Sequence, residues 1–346
     1  MAKIYRIGVI GLVHDHIWGN LRNLKKMPNV KIACAADVNE PLLERVKEEF
    51  GVKTEALYKD YRELLKREDI DACLAYTESN RHAEVTEECA ERGVHVMVEK
   101  PMAANLEQAE RMLRAATRAK IKLMINYPTT WNPSVQKSYS LVEEDKIGRV
   151  WQMRWRAAHQ GPKEIGCSKY FYEWLYSKEK NGAGALMDYC CYGADLCRWF
   201  LGQPNRVVAM GGTLVRDYLT VEDNAVMVLG YEKAMGILEA SWSETPGYHG
   251  LTVLGEKGTI VPDPITHELK IYTAEAKKWE TVECPPLAKE ESNAAEYFIS
   301  RIEGDEPIEG PTSPEICRDA QEILEAGVIS METGKTVFLP LKPEKT

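Results

Sequence analysis

The sequence contains no apolar stretch that approaches the length of a membrane span. Basic residues are not in excess either, because 44 Lys and Arg against 53 Asp and Glu leave a formal charge of −9. A net-acidic chain without a long basic run is a poor electrostatic match for a phosphate backbone. We therefore expect neither a membrane protein nor a general nucleic-acid-binding protein.

The nine cysteines include no C-x-x-C pair, the spacing typical of zinc knuckles and redox-active thiols. Their odd number and scattered positions do not indicate a disulfide framework, so we expect reduced, mostly buried thiols. Internal repeats and low-complexity segments are also missing. The first residues run directly into a strand pattern, so we expect no cleaved signal peptide and a cytoplasmic location.

With 346 residues, 44% of them hydrophobic, the chain is long enough for two packed domains. Up to about residue 125, short β-rich runs alternate with charged helix-forming stretches, which predicts βαβ units and a parallel sheet covered on both faces. From residue 126, candidate strands follow one another, and seven of the eight tryptophans occur there. This second pattern predicts an antiparallel sheet with helical interruptions. We expect an α/β protein with domains at residues 1–125 and 126–346.

A possible nucleotide-binding turn follows the first predicted strand. Gly11 lies between that strand and a helix, but Val13 and His16 replace the second and third glycines of the G-x-G-x-x-G fingerprint. A tight strand-to-helix turn would explain Gly11 about as well. Asp37, 26 residues later, follows the second strand, where an acid accepts both ribose hydroxyls and repels a 2′-phosphate. Asp37 could also cap a helix, but it predicts NAD in preference to NADP.

The pair His14 and His16 has the H-x-H spacing of metal ligands in barrel-shaped hydrolases. A catalytic zinc would need further His or carboxylate ligands at later strand ends. The other five histidines fall mostly in predicted helices, mid-strand positions or loops. We therefore expect no metal, and we interpret these histidines as solvated or facing a cofactor.

Two further motifs carry ionisable side chains. Glu99-Lys100-Pro101 closes the fifth predicted strand, and open α/β sheets bind ligands at strand carboxyl ends. An ordinary surface salt pair would explain that motif alone. Asp188 and Tyr192 stand four apart and would share one helix face. They could orient a substrate hydroxyl and exchange its proton, although a buried tyrosine beside a glycine-flanked helix start is the default interpretation.

Together, Gly8–Gly11, Thr77–His82, Val98–Met102, the Asp188 helix and Leu254–Thr259 resemble the Gfo/Idh/MocA family of NAD(P)-dependent oxidoreductases. The resemblance implies an N-terminal Rossmann domain with a doubly wound parallel sheet, which binds NAD. It also implies a C-terminal α+β domain with a large open, mainly antiparallel sheet, which commonly pairs subunits into homodimers or homotetramers. Members of this family typically oxidise or reduce a carbinol on a sugar, inositol or related polyol.

The resemblance also implies roles for individual residues. The family's catalytic lysine corresponds to Lys100 and its aspartate to Asp188. Tyr192 replaces the histidine acid–base of many members, as in the branch resembling glucose–fructose oxidoreductase, dihydrodiol dehydrogenase and xylose dehydrogenase. The residues expected to bind the cofactor are Gly11, Leu12, Val13, His14, Asp37, Thr77, Asn80, His82, Glu99 and Lys100.

These observations lead to a hypothesis of hydride transfer between NAD and a secondary alcohol or hemiacetal carbon. Tyr192 would remove the hydroxyl proton, Lys100 would lower the pKa of Tyr192, and Asp188 would orient the hydroxyl. His159 and Tyr170 are candidate substrate contacts, although the aromatic cluster that holds Tyr170 could equally be core or an oligomer contact. Two alternatives stay open: an enzyme that retains and recycles NAD within one turnover (sugar–sugar oxidoreduction or redox-assisted elimination), and a non-catalytic NAD-binding protein.

Overall fold

The structure is a computed structural model that describes residues 3–67, 69–263 and 266–341. Its N-terminal part is a six-stranded parallel sheet in the order β3-β2-β1-β4-β5-β6. The strands are β1 (Tyr5–Ile10), β2 (Val30–Ala36), β3 (Leu57–Tyr58), β4 (Ala72–Ala75), β5 (His95–Glu99) and β6 (Leu123–Asn126). The helices are α1 (Ile17–Lys26), α2 (Glu40–Phe50), α3 (Tyr61–Leu64), α4 (His82–Glu91) and α5 (Leu106–Ala119).

The central strands β1, β4 and β5 are almost entirely buried, as expected for a parallel sheet with helices on both faces. The strand order reverses between β1 and β4. Such a switch point opens a crevice at the carboxyl ends of the strands, where doubly wound sheets bind ligands. The Rossmann arrangement predicted for this part of the chain is confirmed.

The C-terminal part is built on a nine-stranded sheet in the order β14-β13-β12-β11-β7-β10-β9-β8-β15. Its strands are β7 (Val150–Ala158), β8 (Arg206–Gly212), β9 (Asn224–Gly230), β10 (Met235–Ser241), β11 (Tyr248–Gly255), β12 (Gly258–Pro262), β13 (Leu269–Thr273), β14 (Trp279–Val282) and β15 (Val337–Phe338). Neighbouring strands are antiparallel except for the pair β7 and β10. The predicted mainly antiparallel sheet is confirmed.

The helices of this part of the chain are α6 (Pro133–Glu143), α7 (Lys169–Leu175), α8 (Lys178–Asn181), α9 (Cys191–Leu201), α10 (Ala294–Glu303) and α11 (Pro314–Thr333). Helices α6, α9 and α11 pack on this sheet. Strand β8 shows the resulting alternation, because Val207 and Ala209 are buried while Val208 and Met210 are exposed. Among the described residues, none of the helices combines the length and apolar character that crossing a membrane requires.

Gly11 sets the turn that leads from β1 towards α1. Its φ of +76° lies in the left-handed region, and a Cβ at this position would stand 2.5 Å from Cγ2 of Thr77. Glycine alone accommodates both the backbone conformation and the close approach. The turn therefore brings β1 and the segment after β4 together at the crevice.

Candidate active site

A cavity of about 280 Å³ lies at the switch point between β1 and β4. Four of the residues predicted to bind the cofactor line it: Gly11, Val13, Asp37 and Thr77. The other predicted cofactor residues lie outside this lining. They are Leu12, His14, Asn80, His82, Glu99 and Lys100.

Asp37 organises the cavity. Its Oδ2 accepts a hydrogen bond from the Leu12 N–H at 2.6 Å, and its Oδ1 accepts the backbone N–H (2.7 Å) and side-chain Nδ2 (2.8 Å) of Asn39. Burial raises the pKa of Asp37, and these donors oppose that shift. Each carboxylate oxygen can accept two hydrogen bonds, so Oδ2 retains capacity for a ribose hydroxyl. The turn, the buried acid and the cavity fit an adenosine ribose and its pyrophosphate.

Three basic side chains that the sequence analysis did not consider also line this cavity: Lys59, Arg62 and Arg81. Arg81 is bonded to Glu84 at 3.0 Å and Arg62 to Glu88 at 3.2 Å, so nearby acids balance both guanidinium charges. Arg81 lies within the Thr77–His82 motif but had no role assigned there, and Lys59 and Arg62, 22 and 25 residues after Asp37, belong to no motif.

Two predicted cofactor residues have structural partners instead of facing the cavity. His82 is buried, and its ring nitrogens contact the carbonyl oxygens of Met102 (3.2 Å) and Thr77 (3.4 Å). Burial lowers the pKa of His82, so its ring is neutral and joins the segments after β4 and β5. His14 is also buried, and its ring packs 4.4 Å from the ring of Phe171 on α7.

Lys100 and Asp188 form a buried ion pair between the two parts of the chain. The Lys100 Nζ donates to Asp188 Oδ1 at 2.7 Å, and Asp188 Oδ2 accepts from the Trp242 Nε1 at 3.0 Å. Burial alone would raise the pKa of Asp188 and lower that of Lys100. Their mutual attraction overcomes burial, so the pKa of Asp188 is lowered and that of Lys100 is raised. Both oxygens of Asp188 therefore hold protein groups, where the sequence analysis expected a substrate hydroxyl.

Tyr192 lies on the other side of the Lys100 ammonium, whose Nζ is 4.9 Å from the centre of the phenol ring. The predicted helix begins with a π-helical turn, Leu186–Cys190, before α9; such turns recur at functional sites. Burial raises the pKa of Tyr192 more than Lys100 lowers it. The expected net lowering of this pKa is wrong, because the desolvation of the largely buried ring outweighs the attraction of the Lys100 charge.

A second cavity, of about 540 Å³, extends from Tyr192 across the C-terminal sheet. Its lining is rich in aromatic and imidazole groups: His16, Trp131, Trp155, Tyr189, Tyr192, His249 and His267, with Pro128, Thr129 and Asn132. The candidate substrate contacts His159 and Tyr170 are not part of it. His159 packs 5.0 Å from the ring of Tyr189, which does line the cavity.

Two family models match the chain. Residues 5–127 match an oxidoreductase family with an NAD-binding Rossmann fold, and residues 135–261 match the GFO/IDH/MocA C-terminal domain. The chain belongs to the Gfo/Idh/MocA family. It is an oxidoreductase with an NAD-binding domain, as the resemblance implied.

Characterised relatives agree with this assignment. Myo-inositol 2-dehydrogenase of Thermotoga maritima is 28% identical over 281 residues, which are 78% of each chain. Scyllo-inositol 2-dehydrogenase (NAD(+)) of Bacillus subtilis is 21% identical over 82% of this chain and 81% of its own. A levoglucosan dehydrogenase solved with NADH and levoglucosan has a TM-score of 0.84 and 21% identity, covering 98% of this chain and 100% of that one; this likeness shows the shared fold.

Within this Gfo/Idh/MocA chain, the structure adds a third group to the H-x-H pair. The ligand atoms of His14, His16 and Glu99 all lie within 4.8 Å of one another, because β1 and β5 end at the same edge of the sheet. Glu99 is 83 residues from His16, so the spacing along the chain did not reveal it. The contact of Trp242 with Asp188, 54 residues before it, could not be predicted from the sequence for the same reason.

Proposed function

We propose that this protein transfers a hydride between NAD and a carbinol carbon of a sugar, polyol or related cyclic alcohol. The observation that carries the proposal is that Lys100 and Tyr192, from the two parts of the chain, stand 4.9 Å apart between ammonium and ring centre, and that Tyr192 lines the aromatic cavity. The similarity to inositol dehydrogenases supports the substrate class. Aromatic walls with a few polar groups are also typical of sites for small cyclic ligands.

Tyr192 is the proposed acid–base group. The ordinary pKa of tyrosine is about 10 and burial raises that of Tyr192 further, so the phenol is protonated near neutrality and is ready to donate a hydrogen bond to the oxygen of a carbonyl substrate. In the oxidative direction the same hydrogen bond would position the alcohol. NAD, when bound, supplies the hydride acceptor.

Lys100 is proposed to stabilise negative charge that develops on the substrate oxygen or on the phenol. Asp188 accepts from its ammonium and is itself held by the indole N–H of Trp242. Asp188 is therefore proposed as a positioning residue that acts through Lys100.

A substrate panel of inositols, aldoses and anhydrosugars, followed at 340 nm with NAD⁺ and with NADP⁺, tests the proposal. We expect Tyr192→Phe to lower kcat by about 10²–10⁴-fold, the usual contribution of a positioned acid–base group, while NAD affinity measured by calorimetry stays the same. Tyr139→Phe, on the half-exposed α6, is the matched control and should retain wild-type kcat. A Tyr192→Phe variant that kept near wild-type kcat would contradict the assignment.

The same experiment separates the two alternatives. NAD that co-purifies, together with turnover in the absence of added cofactor, would favour an enzyme that recycles its NAD internally. NAD binding without turnover on the whole panel would favour a non-catalytic role.

We also propose that copies of the chain pair through the exposed face of the nine-stranded sheet. Across β8 and β9, Val208 is paired with Val228 and Met210 with Val226, and Val208, Met210 and Val226 are exposed. A contiguous apolar sheet face of this kind is typical of a subunit interface. Light scattering should give a dimer or tetramer, and Val226→Lys should shift it towards monomer; a wild-type monomer would contradict this proposal.

A further inference from the structure

His16 occupies the third glycine position of the nucleotide fingerprint, and its ring lines the same cavity as Tyr192. Its Nδ1 lies 2.9 Å from Oε1 of Glu99. The Glu99 side chain is fully buried, whereas 42% of the His16 side chain is exposed. An imidazole therefore stands at the cavity wall with a buried carboxylate behind it.

The carboxylate is held in turn by two further side chains. Glu99 Oε2 accepts from Nδ2 of Asn126 at 2.8 Å, and Asn126 Oδ1 accepts from the indole Nε1 of Trp131 at 3.0 Å. An indole nitrogen can only donate. Trp131 therefore fixes which end of the Asn126 amide faces Glu99, and the amide fixes Glu99.

This series of hydrogen bonds determines the tautomer of His16. A buried carboxylate can only accept, so Nδ1 carries the proton and donates it to Glu99. The lone pair then resides on Nε2, on a ring that lines the cavity and is 42% exposed. This is the arrangement that prepares a histidine to act as a base in carboxylate–histidine pairs.

We propose that His16, oriented by Glu99, is a second acid–base residue of this active site and exchanges the proton of the substrate hydroxyl. The inference deepens the proposed function and rests on it. In the oxidative direction Nε2 of His16 would take the O–H proton as the C=O bond forms, and NAD, when bound, would accept the hydride that leaves the carbinol carbon. Glu99 balances the imidazolium, which releases its proton to water in the cavity.

The environment of Tyr192 explains why a second group is useful. Burial raises the pKa of that phenol, and Asp188 engages the nearby ammonium. A phenol in this state donates a hydrogen bond to the substrate oxygen readily, but it accepts a proton poorly near neutrality. His16 supplies an acceptor on the wall of the same cavity.

Nitrogen-15 NMR of histidine-labelled protein at pH 8.5 tests the tautomer without any substrate. We expect His16 to carry its proton on Nδ1. His95 and His159 are internal references, because their Nδ1 atoms accept backbone N–H groups at 2.9 Å and they should carry theirs on Nε2. A wild-type His16 with its proton on Nε2 would overturn the proposal.

Glu99→Gln should reverse the tautomer. Asn126 keeps the amide oxygen of the new glutamine on its own side, so the NH₂ group faces His16 and makes Nδ1 the acceptor. Replacing carboxylate by amide in this way leaves geometry intact but costs about 10⁴-fold in kcat in serine proteases. We expect kcat to fall at least 100-fold here and in His16→Gln, with less change in KM. The exposed Glu91→Gln on α4 is the matched control.

Two results would refute the role of His16. One is a kcat within threefold of wild type for both Glu99→Gln and His16→Gln. The other is a tightly held zinc ion, found by elemental analysis after incubation with Zn²⁺ and dialysis, because an ion bound by His14, His16 and Glu99 would replace the proton between Nδ1 and Oε1. If no alcohol in the panel is oxidised, the NMR result still decides the tautomer, and the missing turnover counts against the proposed function instead.

Discussion

The ion pair of Lys100 and Asp188 makes a quantitative prediction about stability. The side chains are only 3% and 6% exposed, and Asp188→Asn would remove the negative charge while preserving shape and an acceptor for Trp242. The variant would leave an uncompensated buried cation. Breaking a buried pair in this way costs about 3–5 kcal/mol, which corresponds to a roughly 10²–10⁴-fold smaller folding equilibrium constant.

Urea unfolding followed by tryptophan fluorescence measures this loss. With an m value of about 2 kcal/mol/M, the midpoint should fall by about 1.5–2.5 M. Adding Lys100→Met should recover most of the loss, because removal of both charges also removes the desolvation penalty. The exposed pair Lys257 and Asp145, 3.1 Å apart, is the matched control, and its disruption should cost less than about 1 kcal/mol.

Two results would refute this reasoning. In the first, the free energy of unfolding of Asp188→Asn lies within about 1 kcal/mol of the wild-type value, which is roughly what an exposed ion pair contributes. In the second, the double variant is less stable than Asp188→Asn alone. Either result would mean that the two charges do not depend on each other for their burial.

Three further predictions follow from single residues. Asp195 is fully buried, and neither carboxylate oxygen has a hydrogen-bond partner among the described residues; burial raises its pKa well above the ordinary 3.8. The free energy of unfolding of the wild type therefore falls by about 1.4 kcal/mol per pH unit as the pH rises from 3.8 towards the raised pKa of the folded state. The urea midpoint of Asp195→Asn, which carries no charge here, should exceed that of the wild type by more at pH 7 than at pH 4; a constant difference would contradict this. Asp37→Ala should weaken NAD binding by about 10–100-fold in fluorescence titration, as for a lost charged hydrogen bond, and weaken NADP less; an equal loss for both would count against its ribose role. Gly11→Ala should lower the melting temperature more than Gly51→Ala, because both have positive φ but only Gly11 would clash with Thr77; equal losses would mean that no clash occurs.

Much of the fold was predictable because the spacing of apolar residues along a strand or helix is a local property of the sequence. The short apolar runs that became β1, β4 and β5 alternate with amphipathic helices, and this alternation indicates a parallel sheet. Family motifs such as Glu99-Lys100-Pro101 also consist of consecutive residues. The fold class, the family and the use of NAD were therefore accessible before any coordinates.

The candidate site was only partly predictable. The spacing of Asp188 and Tyr192 correctly suggested that they lie close together, and the structure places both around Lys100. The spacing could not show that Trp242 would take the second oxygen of Asp188. It also could not show that burial would raise the pKa of Tyr192, because the loss of solvent depends on the packing of both parts of the chain.

The sequence by itself determined where strands and helices form and which ionisable residues end the strands, because those properties depend on neighbours along the chain. Only the tertiary structure decided which of those residues meet. His16 and Glu99 are 83 residues apart and become partners because parallel strands bring their carboxyl ends to one edge. Which ring nitrogen of His16 carries the proton depends on that contact and on the burial of Glu99, and neither can be predicted from the order of the residues alone.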